Sequence, residues 1–248
     1  MKARLDRLLV DRGLAPSRER AQRLIMAGEV LVAEHVVSKP GTEVPDDAPL
    51  RLRTEPSAWV SRGGEKLVGA LDAFGVALTG RVVVDVGAST GGFTDVCLRR
   101  GARRVFAVDV GYGQLAWALR QDARVVVIER TNARTLEPGM LPEVPDVAVV
   151  DVSFISLALV LPAVARVLAP DGEIVALVKP QFEVGKGEVG KGGVVRDPAQ
   201  RAAVVARVRG VMEGLGFLVR GERESVLPGP KGNREVFLWG ARSGAPHP

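Results

Sequence analysis

Hydrophobic residues follow one rhythm up to about residue 54 and a different one beyond residue 64. Leu5, Leu8 and Leu9 recur at helical spacing ahead of Gly13. Ala21, Leu24 and Ile25 do the same between Ser17, a natural helix cap, and Gly28, a natural stop. Val30-Leu31-Val32 and Val36-Val37 then read as short strands, so residues 1–54 predict a small α+β unit of two helices and a hairpin. Residues 55–64, rich in Pro, Ser and Gly around an apolar Trp59-Val60 pair, predict a linker.

From residue 65 strands and helices alternate. A helix over about 65–74 precedes the buried-strand run Val82-Val83-Val84, and a Gly-rich loop then opens a helix over about 93–100. Val105 to Val108, a helix at Leu115 to Leu119, Val125 to Ile128, and Val147 to Val150 follow. A helix over about 157–168, a strand at Ile174 to Val178, a helix at Pro198 to Leu215 and two late strands, 217–219 and 236–239, complete the pattern. Strands this uniformly apolar, separated by helices, predict an α/β domain over 65–241, with a mostly parallel seven-stranded sheet covered on both faces. Residues 242–248 read as a disordered tail.

Composition narrows the chemistry. The chain has 248 residues and a formal charge of +5, but the charge is uneven. Residues 1–23 carry seven basic and three acidic side chains, residues 179–234 carry eleven and six, and the remainder is acidic. Two basic segments flanking an acidic body fit either a nucleic-acid footprint or solvated helix faces. The single Cys97 cannot form an internal disulfide, and neither His35 nor His247 has a partner at metal-ligand spacing, so no metal is expected. The N-terminus is charged where a signal peptide is apolar, and the longest uncharged apolar stretch, 152–165, is too short to span a bilayer. A soluble, cytoplasmic protein is expected.

Asp85 ends the first strand of the α/β domain and is followed by Val-Gly87-Ala88-Ser89-Thr-Gly91-Gly92-Phe93, which opens directly into a helix. Glycines in such a place let the backbone approach a ligand and aim helix N-terminal amides at it. The nicotinamide pattern G-x-G-x-x-G is not met, because Ala88-Ser89 stand where a second glycine is needed. The D-x-G-x-x-x-G arrangement instead resembles S-adenosylmethionine-dependent methyltransferases. Asp109, at the end of the second strand, is placed to bind ribose hydroxyls. Gly185 to Gly192 nearly spells a phosphate loop but lacks the magnesium-binding hydroxyl, and reads as a mobile basic lid.

Absences narrow the methyl acceptor. Cytosine carbon methylation needs a cysteine nucleophile, and Cys97 sits in a helix as core; Asp151-Val152-Ser153-Phe154 lacks the prolines typical of exocyclic nitrogen methylation. A hydroxyl acceptor needs a general base, for which Asp151 and Lys179 stand at strand ends. A lysine can serve when burial, a second ammonium and a sulfonium bring its pKa down from about 10.4. Arginine cannot, which makes Lys66 and Lys179 informative in a chain with 27 Arg and 7 Lys.

Lys66, Asp151, Lys179 and Glu235 resemble, in order and context, the Lys-Asp-Lys-Glu tetrad of ribose 2′-O-methyltransferases related to the heat-shock RNA methyltransferase. The strings Ser-Arg-Gly-Gly-Glu-Lys-Leu, Asp-Val-Gly-Ala-Ser-Thr-Gly-Gly-Phe-Thr, Asp-Val-Gly-Tyr-Gly-Gln-Leu, Thr-Asn-Ala-Arg, Val-Lys-Pro-Gln-Phe-Glu and Gly-Asn-Arg-Glu-Val-Phe-Leu-Trp resemble the TlyA family. That family comprises rRNA cytidine-2′-O-methyltransferases sometimes named hemolysins, with an FtsJ-like domain. The likeness runs from about Arg4 to Trp239. The front unit is similar to the S4-like RNA-binding fold at Leu5-Asp6, Ser17-Arg18, Ala21, Ile25, Gly28, Val30 and Val32. It departs at Ala33-Glu34, where that fold usually has Asn-Gly, which weakens the expectation of a tight hairpin.

The resemblance implies a Rossmann-like methyltransferase domain in which Lys179 takes the ribose proton and Asp151 orients it and lies near the cofactor. Lys66 and Glu235 would position the ribose and tune the charge. S-adenosyl-L-methionine would be surrounded by Asp85, Gly87, Ala88, Ser89, Gly91, Gly92, Phe93, Asp109, Asn132 and Asp151. Arg4, Arg7, Arg18, Arg20 and Arg23 would grip ribosomal RNA or a ribosomal subunit, with a monomer assumed. Trp59 would pack between domains or meet RNA. The competing readings are a structural ion-pair cluster at the tetrad, a non-catalytic ribosome-binding or assembly factor, and a hemolysin, for which hydropathy offers no membrane segment.

Overall fold

The computed structural model describes residues 2–26, 28–53, 58–185, 189–190 and 192–242. The chain divides into two compact units between Ala58 and Trp59.

The first unit opens with β1 (Lys2–Arg4), α1 (Leu5–Asp11) and α2 (Arg18–Met26), followed by β2 (Val30–Val32), β3 (His35–Val36), β4 (Glu43–Pro45) and β5 (Leu50–Leu52). The Ser17 hydroxyl accepts from the Arg20 amide at 3.2 Å and so starts α2. β1 pairs antiparallel with β4, and β2 lies between β3 and β5 in a three-stranded antiparallel sheet. Leu5, Leu8, Leu9, Ala21, Ile25, Val30 and Val44 form the core. The hairpin between β2 and β3 forms despite its unusual turn. Ala33 and Glu34 both take left-handed backbone conformations, with φ of 45° and 68°. The Glu34 carboxylate is held by the Arg51 guanidinium at 2.7 Å.

The second unit comprises α3 (Gly63–Phe74), β6 (Val82–Val86), α4 (Gly92–Arg99), β7 (Arg104–Val108), α5 (Trp117–Arg120), β8 (Val125–Ile128), β9 (Val147–Val150), α6 (Leu157–Val167), β10 (Glu173–Val178), α7 (Pro180–Glu183), α8 (Pro198–Gly214), β11 (Phe217–Glu224) and β12 (Val236–Arg242). The sheet order is β11-β12-β10-β9-β6-β7-β8, with β12 antiparallel to both neighbours. Alternation along β6 sends Val82, Val84 and Val86 to a core shared with α6 and α8, and Val83 to one shared with α3 and α4. The sheet reverses order between β6 and β9, whose C-terminal ends both feed the candidate site.

Two boundaries need correction. Trp59 to Gly64, expected in the linker, belong to the second unit. The Val60 amide donates to Asp95 at 2.9 Å, and α3 starts at Gly63. Trp59 packs against that unit's own core beneath the Arg99 guanidinium, 4.9 Å from the ring centroid. Arg242, expected in the tail, ends β12, its guanidinium donating to the carbonyls of Ala165 and Ala169 at 2.7 and 2.9 Å. The tail proper, 243–248, lies outside the described residues, as do Lys186 to Glu188 and Lys191 of the expected lid.

Candidate active site

The loop from β6 to α4 is shaped by glycine at two close approaches. Gly87 has φ of 89°, and a side chain there would stand 2.5 Å from the Asp151 carbonyl oxygen. Its absence lets the loop after β6 pass directly over the loop after β9. At Gly92 a side chain would stand 2.2 Å from the Ser61 hydroxyl and 3.0 Å from the Gly64 amide nitrogen. The bare backbone brings the start of α4 against the start of α3, and with it Lys66.

Two cavities open over this loop. A larger one of about 480 Å³ is lined by Gly87, Ser89, Asp109 and Asn132, with Val110, Val152, Ile155 and Val160 supplying apolar wall. A smaller one of about 240 Å³ is lined by Ser61, Lys66, Ala88, Gly92, Phe93 and Lys179. Gly87, Ser89 and Asp151 line both. Asp109 accepts from the Ser89 amide at 2.8 Å and the Gly111 amide at 2.6 Å, one bond to each oxygen. Each oxygen keeps accepting capacity for a hydroxyl. A carboxylate of this kind beside an apolar wall suits the ribose and base of a nucleoside, so the residues present fit S-adenosylmethionine.

The tetrad is assembled as two ion pairs. Lys179 Nζ lies 2.6 Å from Asp151 Oδ1 and donates to the Ser153 hydroxyl at 2.8 Å. Lys66 Nζ donates to Glu235 Oε2 at 2.6 Å. Glu235 is fully buried and lines neither cavity; its other oxygen is approached by the Gln181 amide at 3.4 Å. The smaller cavity thus exposes two amines and one carboxylate.

Two expected cofactor residues lie outside the cavity walls. Gly91 starts α4, and its α-carbon packs against Leu115 and Leu119. Asp85 is fully buried beneath the loop, where Thr94 donates to Oδ2 at 2.6 Å and Oδ1 has no hydrogen-bond partner among the described residues. Burial pushes its carboxyl up to about 7, the Thr94 hydrogen bond opposes the shift, and the charges of Asp151 and Asp109 add to it.

Two of the front-unit arginines expected on RNA share one buried partner. Asp6 is fully buried and accepts from Arg4 at 3.1 and 3.0 Å, from Arg18 at 2.9 Å and from Gln22 at 2.9 Å. These donors, Arg4 first, hold its carboxyl well below the usual carboxylate range against the opposing effect of burial. Arg7 and Arg23 face Asp11 and Glu19 at 3.7 and 3.3 Å. The Arg20 guanidinium is shifted down by burial and by the neighbouring Arg23.

Ser153, Ser61 and Gln114 were absent from the expected residues, yet Ser153 meets Lys179, Ser61 lines the smaller cavity and Gln114 lines the larger. The available signal for Ser153 was a hydroxyl two residues past a strand-end acid. Phe154, beside it, is 90% exposed and packs its ring 4.9 Å from that of Phe182.

Comparison with known proteins agrees with this geometry. Residues 59–242 match the FtsJ-like methyltransferase family and residues 3–48 match the S4 domain. The 16S/23S rRNA (cytidine-2′-O)-methyltransferase TlyA of Mycobacterium tuberculosis is 56% identical over 239 residues, covering 96% of this chain and 89% of the relative. A solved structure of a hemolysin-named protein from Streptococcus thermophilus is 43% identical with a TM-score of 0.77, covering 99% of this chain and 90% of that one. An S-adenosylmethionine-dependent methyltransferase from Mesorhizobium loti shares the fold at 18% identity, with a TM-score of 0.52 over 70% of this chain and 96% of its own. The methyl donor is S-adenosylmethionine. The chain belongs to the TlyA family of FtsJ-like methyltransferases, with an S4 domain ahead of the catalytic one.

Proposed function

We propose that the protein methylates the 2′-oxygen of cytidine ribose in ribosomal RNA, with Lys179 as general base. The observation that carries this reading is the Lys179 amine, paired with Asp151 where a nucleoside-sized cavity adjoins a smaller one lined by two lysines. S-adenosylmethionine supplies a methyl group on positively charged sulfur, so the acceptor oxygen must shed its proton as its bond to carbon forms. Lys179 in its neutral form takes that proton: the ribose O–H bond breaks, an N–H bond forms, and solvent later receives the proton. Ser153 accepts one remaining N–H group of the amine and the Asp151 carboxylate stands 2.6 Å from its nitrogen, and together they fix its direction. Lys66, anchored by Glu235, presents an ammonium to the acceptor's oxygens.

Ribosomal RNA as substrate is supported by the S4 domain and by the identity to an enzyme named for 16S and 23S rRNA. That substrate would place the protein in the cytoplasm. The hemolysin names of several relatives suggest membranes instead, but no helix among the described residues is long and apolar enough to cross one. The test is incubation with ribosomal subunits and methyl-labelled S-adenosylmethionine, followed by digestion to nucleosides. Label is expected in 2′-O-methylcytidine. Label on a base carbon or nitrogen, or no transfer at all, would overturn the proposal.

A further inference from the structure

Glu183 lines neither cavity, and its side chain is almost wholly buried. Its Oε2 accepts from the Ser156 hydroxyl at 2.7 Å and its Oε1 from the Leu157 amide at 2.6 Å. These are the cap and first residue of α6, and the Ser156 hydroxyl already accepts from the Ala158 amide at 3.2 Å. A carboxylate here meets donors that a helix start leaves unpaired and the positive end of its dipole. From α8, the Arg207 guanidinium lies 3.6 Å from the carboxylate and also donates to the Glu183 carbonyl.

A simple helix cap comes from the residues just before the helix, as Ser156 does. Glu183 reaches α6 from the far end of α7, whose own cap is Lys179. The contacts therefore close a ring. The chain runs from Asp151 to Ser156, crosses by hydrogen bond to Glu183, returns along α7 to Lys179, and closes through the 2.6 Å ion pair to Asp151. A shift of either loop must break the ring at one of these two junctions.

We propose that Glu183 is a positioning residue for methyl transfer, tying α7 to α6 so that Lys179 stands against Asp151. The inference rests on Lys179 being the base. Misplacing a catalytic group by about 1 Å costs on the order of 100-fold in rate, so the effect belongs in kcat.

The experiment compares transfer to ribosomal subunits, and S-adenosylmethionine affinity by calorimetry, for Glu183→Ala, Glu183→Gln and Ser156→Ala. Asp197→Ala, which uncaps α8 by removing the acceptor of the Ala199 amide at 3.0 Å, serves as a destabilised control. Glu183→Ala is expected to lower kcat about 100-fold, with RNA KM and cofactor Kd within about 3-fold of the wild type. Glu183→Gln can still accept from Leu157 and donate to Ser156, and is expected to recover to within about 10-fold. Ser156→Ala removes one junction contact and is expected to lower kcat about 10-fold, which supplies the readout even if Glu183→Ala does not fold. Asp197→Ala keeps its kcat. Unchanged kcat in Glu183→Ala or Ser156→Ala, or an equal loss in Asp197→Ala, overturns the proposal. Retained transfer in Lys179→Ala overturns the base assignment instead, so the two failures are separable.

Discussion

Lys66 Nζ and Glu235 Oε2 lie 2.6 Å apart, joining the first helix of the methyltransferase unit to the start of its last strand across 169 positions of chain. Glu235 is fully buried and Lys66 nearly so. Truncating one partner of such a pair leaves an uncompensated buried charge.

Glu235→Ala is therefore expected to cost about 3–5 kcal/mol of stability, measured by urea unfolding of the methyltransferase unit. Lys66→Met with Glu235→Leu removes both charges and should recover most of that stability, while transfer stays lost. A Glu235→Ala variant within about 1 kcal/mol of the wild type would show that the pair does not hold the fold together.

Asp85 predicts an unusual dependence of stability on pH. Its carboxyl, pushed up to about 7 by burial, keeps its proton in the folded chain at pH values where the unfolded chain's carboxyl has lost it. Between about pH 4 and 7 the folded state binds more protons, so rising pH lowers stability across that window, and the loss is complete above it. Asp85→Asn does not titrate and can still accept from Thr94. The difference in melting temperature, variant minus wild type, should rise steadily from about pH 4 to pH 7 and then level off. A difference independent of pH would contradict the account.

The Ala33-Glu34 turn is strained by its side chains. Left-handed backbone costs an ordinary residue about 1–2 kcal/mol, and the exposed Glu34–Arg51 pair returns little of it. Ala33→Asn with Glu34→Gly is expected to stabilise the hairpin by about 1 kcal/mol. The readout is hydrogen exchange at the Val37 amide, which donates to the Val30 carbonyl at 3.2 Å and should exchange about 5-fold more slowly. Exchange that is unchanged or faster would mean the turn is already relaxed.

How much of this was legible in the sequence follows from the range of each interaction. The apolar runs of β6, β9 and β10 announced themselves because strands buried on both faces need no partner to be recognised. β1, β4 and β5 did not, being three residues each with charged or proline positions, and formed by pairing across the unit. The tetrad residues were marked by type and order, and the structure brings them together as two pairs. Glu183 carries no local signal and Ser153 only its hydroxyl two residues past a strand-end acid, because their partners lie 27 and 26 positions away. Asp85 and Gly91 look like ligand contacts in a linear motif but sit behind the cavity walls once the loop folds.

The central claim is that Lys179 takes the ribose proton, and single-turnover transfer by Lys179→Ala tests it most directly. The lysine-to-alanine enzyme should bind S-adenosylmethionine with an affinity within about 3-fold of the wild type and methylate ribosomal RNA at least about 100-fold more slowly. Transfer at the wild-type rate with the lysine gone would contradict the account.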